Sequence, residues 1–240
     1  MTATTLGQDG FRWFLGAVED LNDPLKLGRV KVRIFNVHSE KKNIYPTADI
    51  PWAIMMNPIN SASLRDVGIS PTGILVGSVV VGFFMDGNDG NKPVVMGTIV
   101  GIGENKQELH DVPKEAREIN SITKNKLGPE PDSAYAAKYP HNKVIKTSRG
   151  HLIEIDDTPD NERIHIYHKS GTYSEVNKDG RNVSKVVDND FDIVVKNREV
   201  YVGGNVNVMV KGNVNILVDG TYTVESKGRM RFKAPRIDLN

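Results

Sequence analysis

The last fifth of the chain repeats itself every eight residues. In VYVGGNVNVMVKGNVNILVDGTYTVESKGRMRFKAPRIDLN, glycines recur at Gly204, Gly212, Gly220 and Gly228. Val202, Val210, Val218 and Ser226 stand two residues before them, while Val206 and Val208, Val214 and Ile216, Tyr222 and Val224, and Met230 and Phe232 stand two and four after. The odd positions between hold Asn205, Asn207, Lys211, Asn213, Asn215, Asp219, Thr221, Thr223, Arg229 and Arg231. Alternation with period two sends successive side chains to opposite faces of an extended chain. A glycine at every eighth place permits a bend, through positive φ or through close approach of another backbone. The stretch is therefore predicted as strand, bend, strand, bend, over a length no single strand reaches.

One such chain has nowhere to bury its apolar stripe, because consecutive octads advance along an axis and do not fold back on themselves. Three identical chains wound about a common axis would put Val202, Val206, Val208, Val210, Val214, Ile216, Val218, Tyr222, Val224, Met230 and Phe232 into a shared core and pair every backbone edge with the next chain. Each fully buried side chain of this kind is worth about 1.5–3 kcal/mol. The alternative is a pair of hairpins in an ordinary all-β domain.

Over 240 residues the formal net charge is +1, which gives no electrostatic case for a nucleic-acid partner. Cysteine is absent, so disulfides and thiolate metal sites are excluded. The first ten residues, MTATTLGQDG, are polar, and no apolar run is long enough to span a bilayer as a helix, so a chain made soluble and not exported through a signal peptide is expected.

Residues 11–103 alternate short β patterns with turn residues. FRWFLGAVED, RVKVRIFNV, IPWAIMMNP, ILVGSVVVGFFMD and PVVMGTIVG are predicted as five strands. In the second, Val30, Val32 and Ile34 share one face while Lys31 and Arg33 share the other; the fourth is apolar on both faces. Five short strands within about ninety residues suit a small closed Greek-key barrel of the OB type. After them, a polar stretch at 104–142 broken by Pro113, Pro129, Pro131 and Pro140 reads as a linker with one short helix in KEAREINSITKNK.

WFLGAVEDLNDPLKLGRVKVRI, IPWAIMMNPINSAS, SPTG and FFMDGNDGNKPVVMGTIVGI, taken in that order, resemble the N-terminal OB domain of the central spike proteins of contractile-tailed phages, relatives of the VgrG spikes of type VI secretion. GHLIEIDDTPDNERIHIYHKSGTYSEVNKDGRNVSKVVDNDFDI is similar to the segment that opens that family's trimeric β-prism, and the octads with the closing RIDLN match its needle. The resemblance implies an all-β chain: an N-terminal tail at 1–10, an OB barrel at 11–103, a linker at 104–142, a β-rich opening of the prism at 143–190, and an intertwined triple-stranded β-helix at 191–240. The best-known members carry a lysozyme domain between barrel and prism. The polar 104–142 stretch cannot enclose a saccharide cleft with two opposed carboxylates, so muramidase activity is expected to be absent.

Other groups that could carry chemistry read as ordinary structure. Glu115 and Glu118 lie one turn apart on a solvated helix. His165 and His168, near Asp156, Asp157, Asp160 and Glu162, have metal-site composition, but positions three apart on a strand face opposite sides. The run from Asp86 to Lys92 begins like a calcium loop, yet Gly90 and Gly97 stand where ligands are needed, so a hairpin turn is expected. GIGENK, at 101–106, lacks the third glycine of a dinucleotide fingerprint. Some spikes of the family bind iron at their tip through paired histidines; no histidine follows His168. No catalytic residue, cofactor or metal is therefore expected. Arg229, Arg231, Lys233 and Arg236 are expected to form a basic collar near the end of the run.

The resemblance implies a homotrimeric spike in the virion's tail baseplate, made in the host cytoplasm, that pierces the host envelope when the sheath contracts. Its implied partners are two further copies of itself, a trimeric hub ring protein, a PAAR-like protein capping the tip and, transiently, the host envelope. A VgrG-like secretion spike and a trimeric fibre or adhesin are the alternatives; the former usually carries hub-like domains ahead of its barrel.

Overall fold

The computed structural model describes residues 12–64, 67–100 and 131–238. The tail at 1–10, the expected helix in KEAREINSITKNK with Glu115 and Glu118, the GIGENK segment and most of the expected linker lie outside the described residues.

Five strands, β1 (Trp13–Asp20), β2 (Val30–Ile34), β3 (Trp52–Met55), β4 (Val79–Phe84) and β5 (Pro93–Ile99), close a barrel in the order β1-β2-β3-β5-β4. All neighbours are antiparallel except β3 and β5, which run parallel with Ile54 opposite Val94. This is the OB arrangement that the alternating strands predict. Phe14, Val18, Val30, Val32, Ile34, Ala53, Val80, Phe84 and Val95 fill the interior. Closure brings backbones close: a Cβ on Gly16 would lie 2.5 Å from Val32 Cγ1 and 2.6 Å from the Arg33 carbonyl oxygen. Register breaks between Val18 and Asp20 and between Val81 and Gly82 supply the local kinks that curl a five-stranded sheet shut.

The fourth strand is shorter than its sequence pattern. Residues 74–78 form a loop rather than continuing β4, because the chain turns at Gly77, where φ is +92° and the amide donates to the Val18 carbonyl at 2.8 Å. Outside the barrel, Arg33 grips Glu19 with two parallel bonds of 2.8 and 2.9 Å, and that guanidinium, outweighing burial, holds the Glu19 carboxyl down at about 2. Asp23 binds the Arg29 guanidinium and accepts from the amides of Leu25 and Leu27, which fixes the β1–β2 loop. The Asp86 carboxylate likewise caps the β4–β5 turn by accepting from the amides of Asn91 and Lys92. Both its oxygens are committed to the hairpin.

A second sheet follows, an antiparallel meander of β6 (Asn142–Lys146), β7 (Leu152–Asp156), β8 (Arg163–Tyr167), β9 (Tyr173–Val176) and β10 (Asn182–Lys185), in spatial order β10-β9-β8-β7-β6. Its connections turn tightly at Gly150, Asp160, Gly171 and Gly180, all with positive φ. Residues 132–138, which fall within the stretch expected as linker, run across one face of this sheet as a strap.

Residues 190–238 belong to a second unit. From 190 to 238 the chain is exposed throughout and forms no strand, so none of its described backbone is paired in a ladder. Bends fall at 195–196, 203–204, 211–212, 219–220 and 227–228, with another at Pro235. The first of them, and the bend at 187–188 that ends the preceding unit, show that the eight-residue period starts two octads before the first repeat glycine.

Candidate assembly surface

The meander buries its polar side. Along β7 and β8, Leu152, Glu154, Asp156, Arg163 and His165 are buried while Ile153, Ile155, Ile164 and Ile166 are exposed. Register aligns them. Ile145 lies opposite Ile153, which lies opposite Ile166, and Ile155 lies opposite Ile164, which lies opposite Val176. Directly opposed residues on one face stand about 4.5–5.5 Å apart at Cβ, so these form two continuous apolar rows. The five isoleucines are 42–68% exposed. A sheet that leaves its β-branched face to water has not finished burying its surface.

The opposite face is a network of buried charges. Arg163 donates to Glu154 at 2.7 Å and to Glu175 at 3.0 Å, and Asn142 donates to Glu154 at 2.8 Å. Glu175 also accepts from the Ser133 hydroxyl at 2.7 Å and the Ala134 amide at 2.9 Å, and meets His165 Nδ1 at 3.1 Å. Burial pushes the Glu175 carboxyl up, but the bonds from His165, Ala134 and Ser133 and the Arg163 charge outweigh it and hold the group at about 2. The Tyr135 ring covers the Arg163 guanidinium at 5.0 Å, and Lys138 N–H donates to Thr158, itself tied to Asp156. The strap thus seals these groups from water, which makes their bonds strong and the loss of any one partner costly.

The two histidines lie apart, but His168 falls beyond the strand, so the opposite-face rule for positions three apart does not place it. His165 lies inside the network, stacked on Tyr173 at 5.5 Å, whereas His168 lies beyond the end of β8 and packs against His151 at 4.5 Å. His168 Nδ1 lies 2.8 Å from the Ser170 hydroxyl and 3.2 Å from the Ser170 amide, within the tight turn that follows β8.

In the octads, Val202, Val206, Val208, Val210, Val214, Ile216, Val218, Tyr222, Val224, Met230 and Phe232 are all exposed in the single chain. Their exposure repeats with the sequence: Val186, Val194, Val202, Val210 and Val218, spaced eight apart, lie between 42% and 49%. One backbone conformation therefore recurs along the run. Gly204, Gly212, Gly220 and Gly228 do not adopt the left-handed conformation, and a Cβ on any of them would meet nothing within 4 Å. Arg229, Arg231 and Lys233 are exposed, as are Met230 and Phe232, and Arg236 pairs with Asp238 at 2.8 Å.

Sequence reasoning missed the strap and the isoleucine face. The alternation in LIEID and RIHIY was visible, and a signal for its inversion was present in the charged residues interleaved with the isoleucines, since a strand that places Glu, Arg and His in register invites mutual pairing.

The family model for the Gp5 N-terminal OB domain matches residues 35–192, about two thirds of the chain. The chain is 32% identical to Protein Gp5 of Vibrio phage KVP40 over 268 aligned positions, which cover 84% of this chain and 63% of that protein. It is 40% identical to the pre-baseplate central spike protein Gp5 of Enterobacteria phage T4 over 103 positions, 41% of this chain and 18% of that protein. The chain thus spans less than two thirds of the length of either relative.

Proposed function

The chain belongs to the Gp5 family of phage baseplate central spike proteins, and on that premise we propose that three copies wind into a needle that punctures the host envelope on sheath contraction. As a family member it is a structural component of the virion's baseplate. The observation that carries the proposal is the unfinished burial. Isoleucine rows on the meander and an even-numbered stripe through the octads are both left to water, beside a backbone with no ladder partner. Copies of the same chain satisfy all of these at once, because every chain carries the same period and the same edge. The glycines then sit where neighbouring backbones approach. A column so built resists splaying under axial load, since withdrawing one chain would expose its whole stripe and break its interchain bonds together.

In this reading the output is force rather than bond cleavage, and no residue is assigned a catalytic role. The barrel is the attachment module, seated on a trimeric hub ring, and a separate capping protein closes the far end. Complementation tests the reading. Phage particles supplied only with a chain carrying Val206→Lys and Val214→Lys, which place charges in the shared core, are expected to lose infectivity because the spike no longer assembles. Undiminished infectivity would contradict the proposal.

A further inference from the structure

We propose that the octad between the bends at 227–228 and Pro235 is a binding band for the phosphates of anionic lipid headgroups, an inference that rests on the trimeric needle. Charge is not spread evenly along the run. Residues 188–199 hold Asp188, Asp190, Asp192 and Glu199 against Lys196 and Arg198. From 200 to 226 the odd, outward positions hold asparagine and threonine together with Tyr201, Gly203, Met209 and Leu217, and the only charges are Lys211, Asp219 and Glu225. Then Lys227, Arg229, Arg231 and Lys233 follow within seven residues. A surface that serves only for solubility mixes both signs along its length. Here the shaft is nearly uncharged and one sign gathers at one level.

Geometry says what kind of partner this fits. Arg229, Arg231 and Lys233 alternate with Met230, Phe232 and Ala234, so the three cations share one face, are exposed, and make no ion pair among the described residues. Three chains repeat them around the whole circumference at one axial level. A protein-docking patch has an apolar centre with a polar rim. In the needle this face has no apolar centre, because the alternation turns Met230 and Phe232 into the shared core. A ring of cations without an apolar anchor matches a layer of anionic groups met from any azimuth, and each Lys or Arg near such a surface adds to the attraction.

The test uses the full chain, sedimented with vesicles of phosphatidylcholine alone or mixed with phosphatidylglycerol. Binding is expected with the mixed vesicles only, weakening as salt rises. The triple variant Arg229→Gln, Arg231→Gln, Lys233→Gln is expected to bind at least about tenfold less. The variant Lys41→Gln, Lys169→Gln, Lys178→Gln, of equal net charge, is expected to bind as the unmodified chain does. Light scattering on each sample separates the two readings: a trimer that ignores anionic vesicles, or binds them equally well without the three cations, overturns the band alone, whereas a monomer overturns the needle and the band with it. Release from vesicles by inorganic phosphate at the same phosphate concentration would reassign the band to a free anion and overturn the lipid proposal.

Discussion

The barrel and the meander have five strands each and bury opposite kinds of surface. In the barrel Val30, Val32 and Ile34 face inward and the charges of Lys31 and Arg33 lie outside under loops. In the meander Glu154, Arg163, His165 and Glu175 are interior and the isoleucines face water. Closure explains the difference. A barrel has an inside of its own and gathers a core from its own strands, whereas an open sheet has two faces and one chain covered only one of them. The 132–138 strap covers the polar face with Ser133, Ala134, Tyr135 and Lys138, which leaves the apolar face for something outside the chain.

That contrast breaks most decisively at the isoleucines. The double variant Ile153→Asp, Ile166→Asp places charges side by side in the exposed rows, and it is expected to abolish assembly while the thermal transition of the barrel stays where it was; an intact assembly would show that the rows face solvent in the working protein. Arg163→Met is next. It leaves the Glu154 and Glu175 carboxylates buried without their cation, at a cost of about 3–5 kcal/mol to the meander, readable as a lower denaturant midpoint for that transition alone. In the barrel, Ile34→Val removes one buried methylene for about 1 kcal/mol and should leave the oligomeric mass unchanged.

The smallest expected effect concerns acid. Glu175 titrates at about 2 in the folded chain against an ordinary value of 4.5, so its contribution to stability is complete above the unfolded value and is lost as pH falls through about 2. The protection factors of amides in the 132–138 strap, corrected for the intrinsic pH dependence of exchange, should hold from neutrality down to about pH 4 and fall only toward pH 2. In Glu175→Gln the acid-induced step should vanish. A strap that opens near pH 4.5 in the unmodified chain would show that the buried bonds do not hold the carboxylate.

The barrel was legible in the sequence because its alternation follows the ordinary rule, apolar side in, and RVKVRIFNV shows that rule in one strand. The error at residues 74–78 came from the same source: ILVG is apolar enough to continue a strand, and only Gly77 reveals the turn. In LIEID and RIHIY the period of two was plain, but a period names two faces without saying which is buried, and the covering strap, DSAYAAK, has no periodicity to announce it. The octads were legible through Gly204, Gly212, Gly220 and Gly228, yet bends of the same period occur at 187–188 and 195–196, where Asp188 and Lys196 hold the glycine's place. The glycines mark the later bends only; the earlier ones recur by register alone and leave no mark in the sequence.

The molar mass of the purified full chain in solution, measured by light scattering, bears most directly on the needle. One chain weighs 26.6 kDa, and three associated copies are predicted. A folded, monodisperse species with the mass of a single chain would contradict the shared core, and the exposed isoleucines and octad valines would then need another explanation.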